Sequence, residues 1–226
     1  MIKKHSFFIL IALPIFWYLI HAKNYNRLAK PNVTFVIDST RYLSKFDFNY
    51  VKSKTSKIEN HVDVYTKVCK LKNRIPKAFI SKFLSSQKTV IGDQEYLDPN
   101  NFDAFCFKAY KEFPAYNLFT FTYENGTCCK TLYAVTTEKK SLKIINMGAI
   151  AFTGDESGWL GDKYGKWISN DIMDMMTISY YDDDFNPNNN NSRIDTTWSI
   201  IRIDKLGFFK EYAYKRVRYL DGRKIE

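Results

Sequence analysis

Histidine is nearly missing from this chain: three occur in 226 residues, and two of them, His5 and His21, fall in the first 22. Beyond that segment His61 stands alone. A histidine-based triad needs a base that titrates near neutrality, and a multi-histidine metal site needs several, so both are excluded. Glycine (9) and proline (6) are too few for a collagen-like or linker-rich chain. There is no C-x-x-C, no G-x-S-x-G, no H-E-x-x-H, no Walker A sequence and no G-x-G-x-x-G. Redox dithiols, zinc knuckles, the α/β-hydrolase elbow, zincins and the common nucleotide loops therefore drop out. Ser85-Ser86-Gln87-Lys88 matches S-x-x-K, but it closes a helix where serine acyl enzymes open one. No cofactor is expected.

What is present is apolar and aromatic. Hydrophobic residues make up 45% and aromatics 17%, enough for a sizeable core, and the formal net charge is +10. Residues 1–22, MIKKHSFFILIALPIFWYLIHA, place Lys3 and Lys4 before an uncharged run from Phe7 to Ile20. Fourteen helical residues span about 21 Å at about 1.5 Å each, short of a bilayer core. The pattern predicts a signal peptide ending near Ala22, or an uncleaved anchor helix. The chain is then expected in the cell envelope, periplasmic or secreted, or held at the inner membrane through residues 7–20 alone. A lipid anchor is excluded because the first cysteine is Cys69.

An exported chain with Cys69, Cys106, Cys128 and Cys129 can form disulfides. Vicinal Cys128 and Cys129 point to opposite faces of a strand, so each needs its own partner. One disulfide is expected, Cys69–Cys128 or Cys106–Cys129, the alternative being that one of the vicinal pair is a buried free thiol.

Residues 23–60 read as an irregular lysine-rich lead-in with short apolar pieces at Phe35-Val36-Ile37 and Phe46–Val51, holding one or two strands. Residues 61–226 read as a single β-rich domain. His61–Leu71 alternates as a half-buried strand. Pro76 opens a short helix near 76–86, with Phe79, Ile80, Phe83 and Leu84 on one stripe. Seven strand-like runs follow: Phe105–Tyr110, Tyr116–Tyr123, Cys129–Thr137, Leu142–Phe152, Asp171–Tyr181, Thr197–Leu206 and Phe208–Tyr219. Turn-forming residues separate them, Asn125-Gly126 being the strongest hairpin signal and Gly154 to Gly165 the longest break. The fold class is mainly β (α+β). It is an antiparallel meander of seven to nine strands, forming a curved sheet, a sandwich or a barrel.

Charge is segregated. Residues 41–82 carry eleven Lys/Arg against three Asp/Glu, residues 151–200 three against nine, and residues 202–226 eight against four. Such asymmetry builds surfaces of opposite sign. A protein partner or an acidic surface is therefore expected, and nucleic acid is not, in the absence of any binding motif.

The segment 153–167, TGDESGWLGDKYGKW, collects glycines, acids and two tryptophans. Asp155, Glu156, Trp159, Asp162 and Trp167 are its candidate ligand-binding residues. Tryptophans stack on sugar rings and carboxylates accept from hydroxyls, so a glycan or small ligand is the second functional expectation. A carboxylate hydrolase using Asp155, Glu156 or Asp162 is the third. The plainer alternative has the glycines making turns and the tryptophans anchoring a loop to the core.

The run from Phe79 to Arg223 resembles uncharacterised exported β-meander proteins of Gram-negative bacteria. The resemblance lies in IPKAFISKFL, in INMGAIAFTGDESGW, in GKW, and in the closing KRVRYLDG. It implies an envelope protein with a meander fold and assigns no catalytic residue. The leading expectation is a non-enzymatic binding module, with an inhibitor, immunity or assembly role, acting through a sheet face or through 153–167.

Overall fold

The Asp47 carboxylate accepts the Tyr50 N–H at 2.8 Å and caps helix α1, Phe48–Lys54. Lys52 and Lys54 sit in the last turn, where cations suit the helix dipole. This stretch was among the apolar pieces expected to hold one or two strands; the cap decides for helix. In the computed structural model, the described residues are 46–65, 69–92, 97, 100, 105–125, 129–156, 159–182 and 192–226. The expected signal segment 1–22 and Cys128 lie outside them. No helix among the described residues is long and apolar enough to cross a membrane.

After α1 come two short strands, β1 (Ser56–Lys57) and β2 (His61–Val62). Of the longer strand expected over 61–71, only His61–Val62 is strand among the described residues, and 66–68 lie outside them. Asp63 Oδ1 accepts the Tyr65 N–H at 3.0 Å, an Asx turn that takes the backbone out of the ladder, and Leu71–Asn73 is a 3₁₀ turn. Pro76 then caps α2 (Lys77–Phe79), which runs on as a π-helical turn over Ile80–Leu84. The helix expected near 76–86 is therefore present.

Eight long strands form the body: β3 (Phe105–Glu112), β4 (Tyr116–Asn125), β5 (Cys129–Glu138), β6 (Ile144–Glu156), β7 (Trp159–Trp167), β8 (Ile172–Asp182), β9 (Ser192–Ile203) and β10 (Phe209–Leu220). A short β11 (Arg223–Lys224) follows. Each long strand pairs antiparallel with its neighbour in sequence, while β1 lies parallel on the free side of β3. The one long strand not foreseen is β7. Its residues, with the end of β6, were expected as a glycine-rich break, yet Gly154 stands opposite Gly161 in a regular hairpin.

The sheet is mainly antiparallel and does not close into a barrel. It folds over on itself instead, and the β6–β7 hairpin is where it turns. β6 pairs with β5 along Ile144–Thr153, but with β7 only from Phe152 onward. Ahead of that point the other side of β6 bonds to the segment before β3 (Val90 N to Met147 O, 2.9 Å; Ala149 N to Ile91 O, 3.0 Å). The far half of β7 pairs instead with β2.

Two cores result. One lies between the helices and the outer side of β3–β6, built on Val51, Phe79, Ile80, Leu84, Phe105, Phe107, Phe119 and Phe121. The other lies between the two halves of the folded sheet. There Leu118, Leu132, Ala134 and Ile150 meet Trp167, Met173, Met175, Ile201 and Ile203. The β9–β10 turn fastens the halves, with Thr136 Oγ1 donating to Gly207 O at 2.6 Å and Phe209 N donating to Asn146 Oδ1 at 3.3 Å. Gly207 has φ +92°, a conformation that favours glycine. These residues belong to a unit spanning Ser39–Glu226.

The disulfide joins Cys69 to Cys106. This corrects both expected pairings, Cys69–Cys128 and Cys106–Cys129; Cys129 takes part in a disulfide of its own. The reason is local. Ile75 N donates to Phe105 O at 3.1 Å and Arg74 bridges to Cys106, which lays 69–75 along β3.

Candidate functional site

The five residues proposed within 153–167 are spread over a hairpin rather than gathered on a loop. Glu156 and Trp159 pair at its end, and Asp155 stands opposite Leu160. Directly opposed residues share a face, and alternate residues keep to it. Asp155 and Asp162 therefore lie on the outer face, and Asp155 is exposed. Tyr65 Oη donates to Asp162 Oδ1 at 2.6 Å, and that bond raises the Tyr65 phenol above its ordinary value. Trp167 belongs to the inner core, with the Lys111 ammonium 4.9 Å from its ring centre. It follows the anchoring alternative and is not a surface stacking platform.

The inner face of β7–β10 changes character along the strands. At one end it is apolar, through Trp167, Met173, Ile201 and Phe209. Next, buried Lys163 meets Glu211 at 2.8 Å, and Ser199 Oγ donates to the same carboxylate at 2.6 Å. A buried ammonium is tolerable only when paired in this way.

Further along, three guanidiniums surround buried Asp195. Arg218 holds it bidentately at 2.7 and 3.1 Å, Arg216 reaches it at 3.0 Å, and Arg193 stands 3.6 Å away over the Tyr181 ring. The Arg218 hydrogen bond, then that of Arg216, hold the Asp195 carboxyl below its ordinary 3.8 against the opposing pull of burial. The unfolded chain then takes up this proton at a higher pH than the folded one. Asp195 thus adds stability that is complete above about pH 5 and fades as pH falls toward its lowered value. Urea titrations from pH 6 to pH 2 are expected to show a shallower acid decline for Asp195→Asn than for wild type. Parallel declines would remove this account of the cluster.

The outer face of β7–β10 is the unusual surface. In a sheet covered on one side only, the uncovered side is ordinarily polar. Here β8 puts Met176, Ile178 and Tyr180 outward, β9 puts Ile194, Trp198 and Ile200 beside them, and β10 adds Tyr212, Val217 and Tyr219. Leu160 and Tyr164 of β7 extend the patch. A bulge between Ala213 and Lys215 inserts Tyr214, whose hydroxyl donates to Asp174 Oδ1 at 3.0 Å. Bulges commonly re-aim a side chain in this way. Tyr212 and Tyr214 are each 57% exposed, and Leu160, Tyr180 and Tyr219 are exposed as well. Lys215 lies 4.3 Å over the Trp198 ring, and Lys166, Arg202 and Lys210 are exposed around the patch.

This surface was not singled out from sequence. KEYAYKRVRY fits plain strand alternation, and only the twofold register shows that its aromatics share a face with Trp198 and Ile178. A usable signal was the β8 run MDMMTISYY, which is apolar at both parities where a one-sided strand alternates cleanly.

No protein-family model matches the chain, and no curated protein or solved structure matches it either.

Proposed function

We propose that this protein is a non-enzymatic interaction module of the cell envelope that binds an acidic protein partner with the outer face of β7–β10. The observation that carries this reading is the composition of that face. Tyr, Trp, Met and Arg are the residues that protein interfaces favour, because they combine contact area with polar tips. Eleven such or aliphatic side chains, from Leu160 to Tyr219, lie on one uncovered sheet surface. Lys166, Arg202, Lys210 and Lys215 outnumber Asp155, Asp162 and Asp174 on this face, and the balance favours an acidic partner. The disulfide between Cys69 and Cys106 fits an oxidising compartment, which supports the reading of residues 1–22 as an export or anchor segment.

The test is capture from native envelope. The wild-type chain is expected to retain an acidic protein at low salt and release it at high salt. A variant with Trp198→Ala, Tyr212→Ala and Tyr214→Ala is expected to retain at least tenfold less while keeping its thermal midpoint within a few degrees, since its changes are at the surface. Equal retention by both proteins would rule out this face as the binding surface.

A further inference from the structure

A cleft opens against the inner core of the folded sheet. The cleft carries an inference independent of the outer face. It lies where residues 56–62 cross from the margin of β3 to the margin of β7, and it encloses about 420 Å³. That volume is within the range of small-molecule sites.

Its chemistry is polarised. The floor is Leu132, Ile150 and Trp167, all buried members of the core between the two halves. The rim carries Lys54, Lys57, Lys70, Lys72 and Lys108 with His61, against only Glu59 and Asp63. Two bulges build this arrangement. Between Phe107 and Ala109, β3 carries Lys108 as an extra residue opposite β4; between Ala149 and Ala151, β6 carries Ile150 as an extra residue opposite β5. Bulges of this kind gather at binding sites because they turn a side chain out of the regular ladder. The disulfide forms part of the wall and fixes the Lys70 and Lys72 side of the rim to β3.

We infer that this cleft binds a small amphipathic anion, with a carboxylate at the lysine rim and an aliphatic body on the apolar floor. An anion relieves the crowding of like charges at the rim, and an apolar body removes the floor from water. Burial, and next the neighbouring Lys130 charge, hold the Lys108 ammonium below its ordinary value, so an added negative charge there is welcome.

The probe is decanoate, below its micellar range, titrated calorimetrically into the full chain with Trp fluorescence followed in parallel. Acetate supplies the headgroup alone, and decyltrimethylammonium supplies the same body with the opposite charge. Decanoate is expected to bind at millimolar concentration or tighter, and neither control is expected to bind comparably. Lys70→Glu with Lys72→Glu, both exposed positions, is expected to weaken decanoate about tenfold. Trp198→Ala with Tyr212→Ala is expected to leave its affinity unchanged, which separates the cleft from the outer face. The inference fails if decanoate does not bind, if it binds the lysine variant as well as wild type, or if decyltrimethylammonium binds equally. It also fails if the outer-face variant loses the binding.

Discussion

Phe79→Ala is expected to cost about 4 kcal/mol and to lower the thermal midpoint by about 10 °C. Phe79 is 1% exposed and seats α2 on the aromatic core. Its ring centre lies 4.9 Å from that of Phe83, 5.2 Å from Phe107, 5.4 Å from Phe46 and 6.3 Å from both Tyr50 and Phe119. Three of these neighbours come from the chain before β1 and from α2, and two from the sheet. Removing the ring therefore leaves a cavity bordered by two layers that cannot easily close it, and the cavity adds to the lost transfer energy. Phe83→Ala, at a partly buried position on the same stripe, is expected to cost about half as much. Chemical denaturation of both variants checks the pair. A cost below 1 kcal/mol for Phe79→Ala would mean that α2 is not seated on β3 and β4 as described.

The second large effect is expected from the disulfide. Cys69→Ala with Cys106→Ala removes a link across 37 residues of sequence. In the chain-entropy treatment a loop of that size contributes about 4 kcal/mol at 25 °C. Alanine is the appropriate replacement, because Cys106 is buried and a serine hydroxyl there would need a partner. Substitution is also preferable to reduction, since Cys129 is disulfide-bonded too. Urea unfolding of the double variant gives the loss directly. A loss under 1 kcal/mol would show that the Ile75–Phe105 and Arg74–Cys106 backbone contacts hold the segment without the covalent link.

The strands were legible as runs of β-branched and aromatic residues, whether buried on both faces, as β4 and β5 are, or on one. The seven expected runs coincide with β3 to β6 and β8 to β10, because β-branched and aromatic enrichment and turn chemistry act over short distances. β7 was not legible, since its two glycines, Gly161 and Gly165, imitate a turn. Gly165 has another reason to be there: a Cβ at that position would lie 2.9 Å from Met175 Cα and would clash with Asp174 O, so only glycine lets β7 and β8 approach. The helix at 48–54 was hidden for a different reason. One side-chain hydrogen bond from Asp47 decides it, and an aspartate beside aromatic residues reads equally well as a strand margin. The true cysteine pairing depends on where the folded chain lays residues 69–75, which spacing alone does not encode. The same holds for the candidate surfaces. The residues of the outer face were all visible as letters, but their sharing of one face follows from pairing register, and the cleft follows from two single-residue bulges.

Residues 56–62 have a bearing on solubility. An open sheet this wide presents long margins of unpaired amides, the template on which chains add to one another as fibrils. Two residues of this short crossing segment occupy part of the β3 margin and two part of the β7 margin, while Val90 and Ile91 do the same for β6. On the last long strand β11 covers the margin at Tyr219 and Leu220, and exposed Lys210 and Lys215 put charge along the rest, which discourages a second copy from aligning there. The molecule thereby keeps its abundant β-structure to itself.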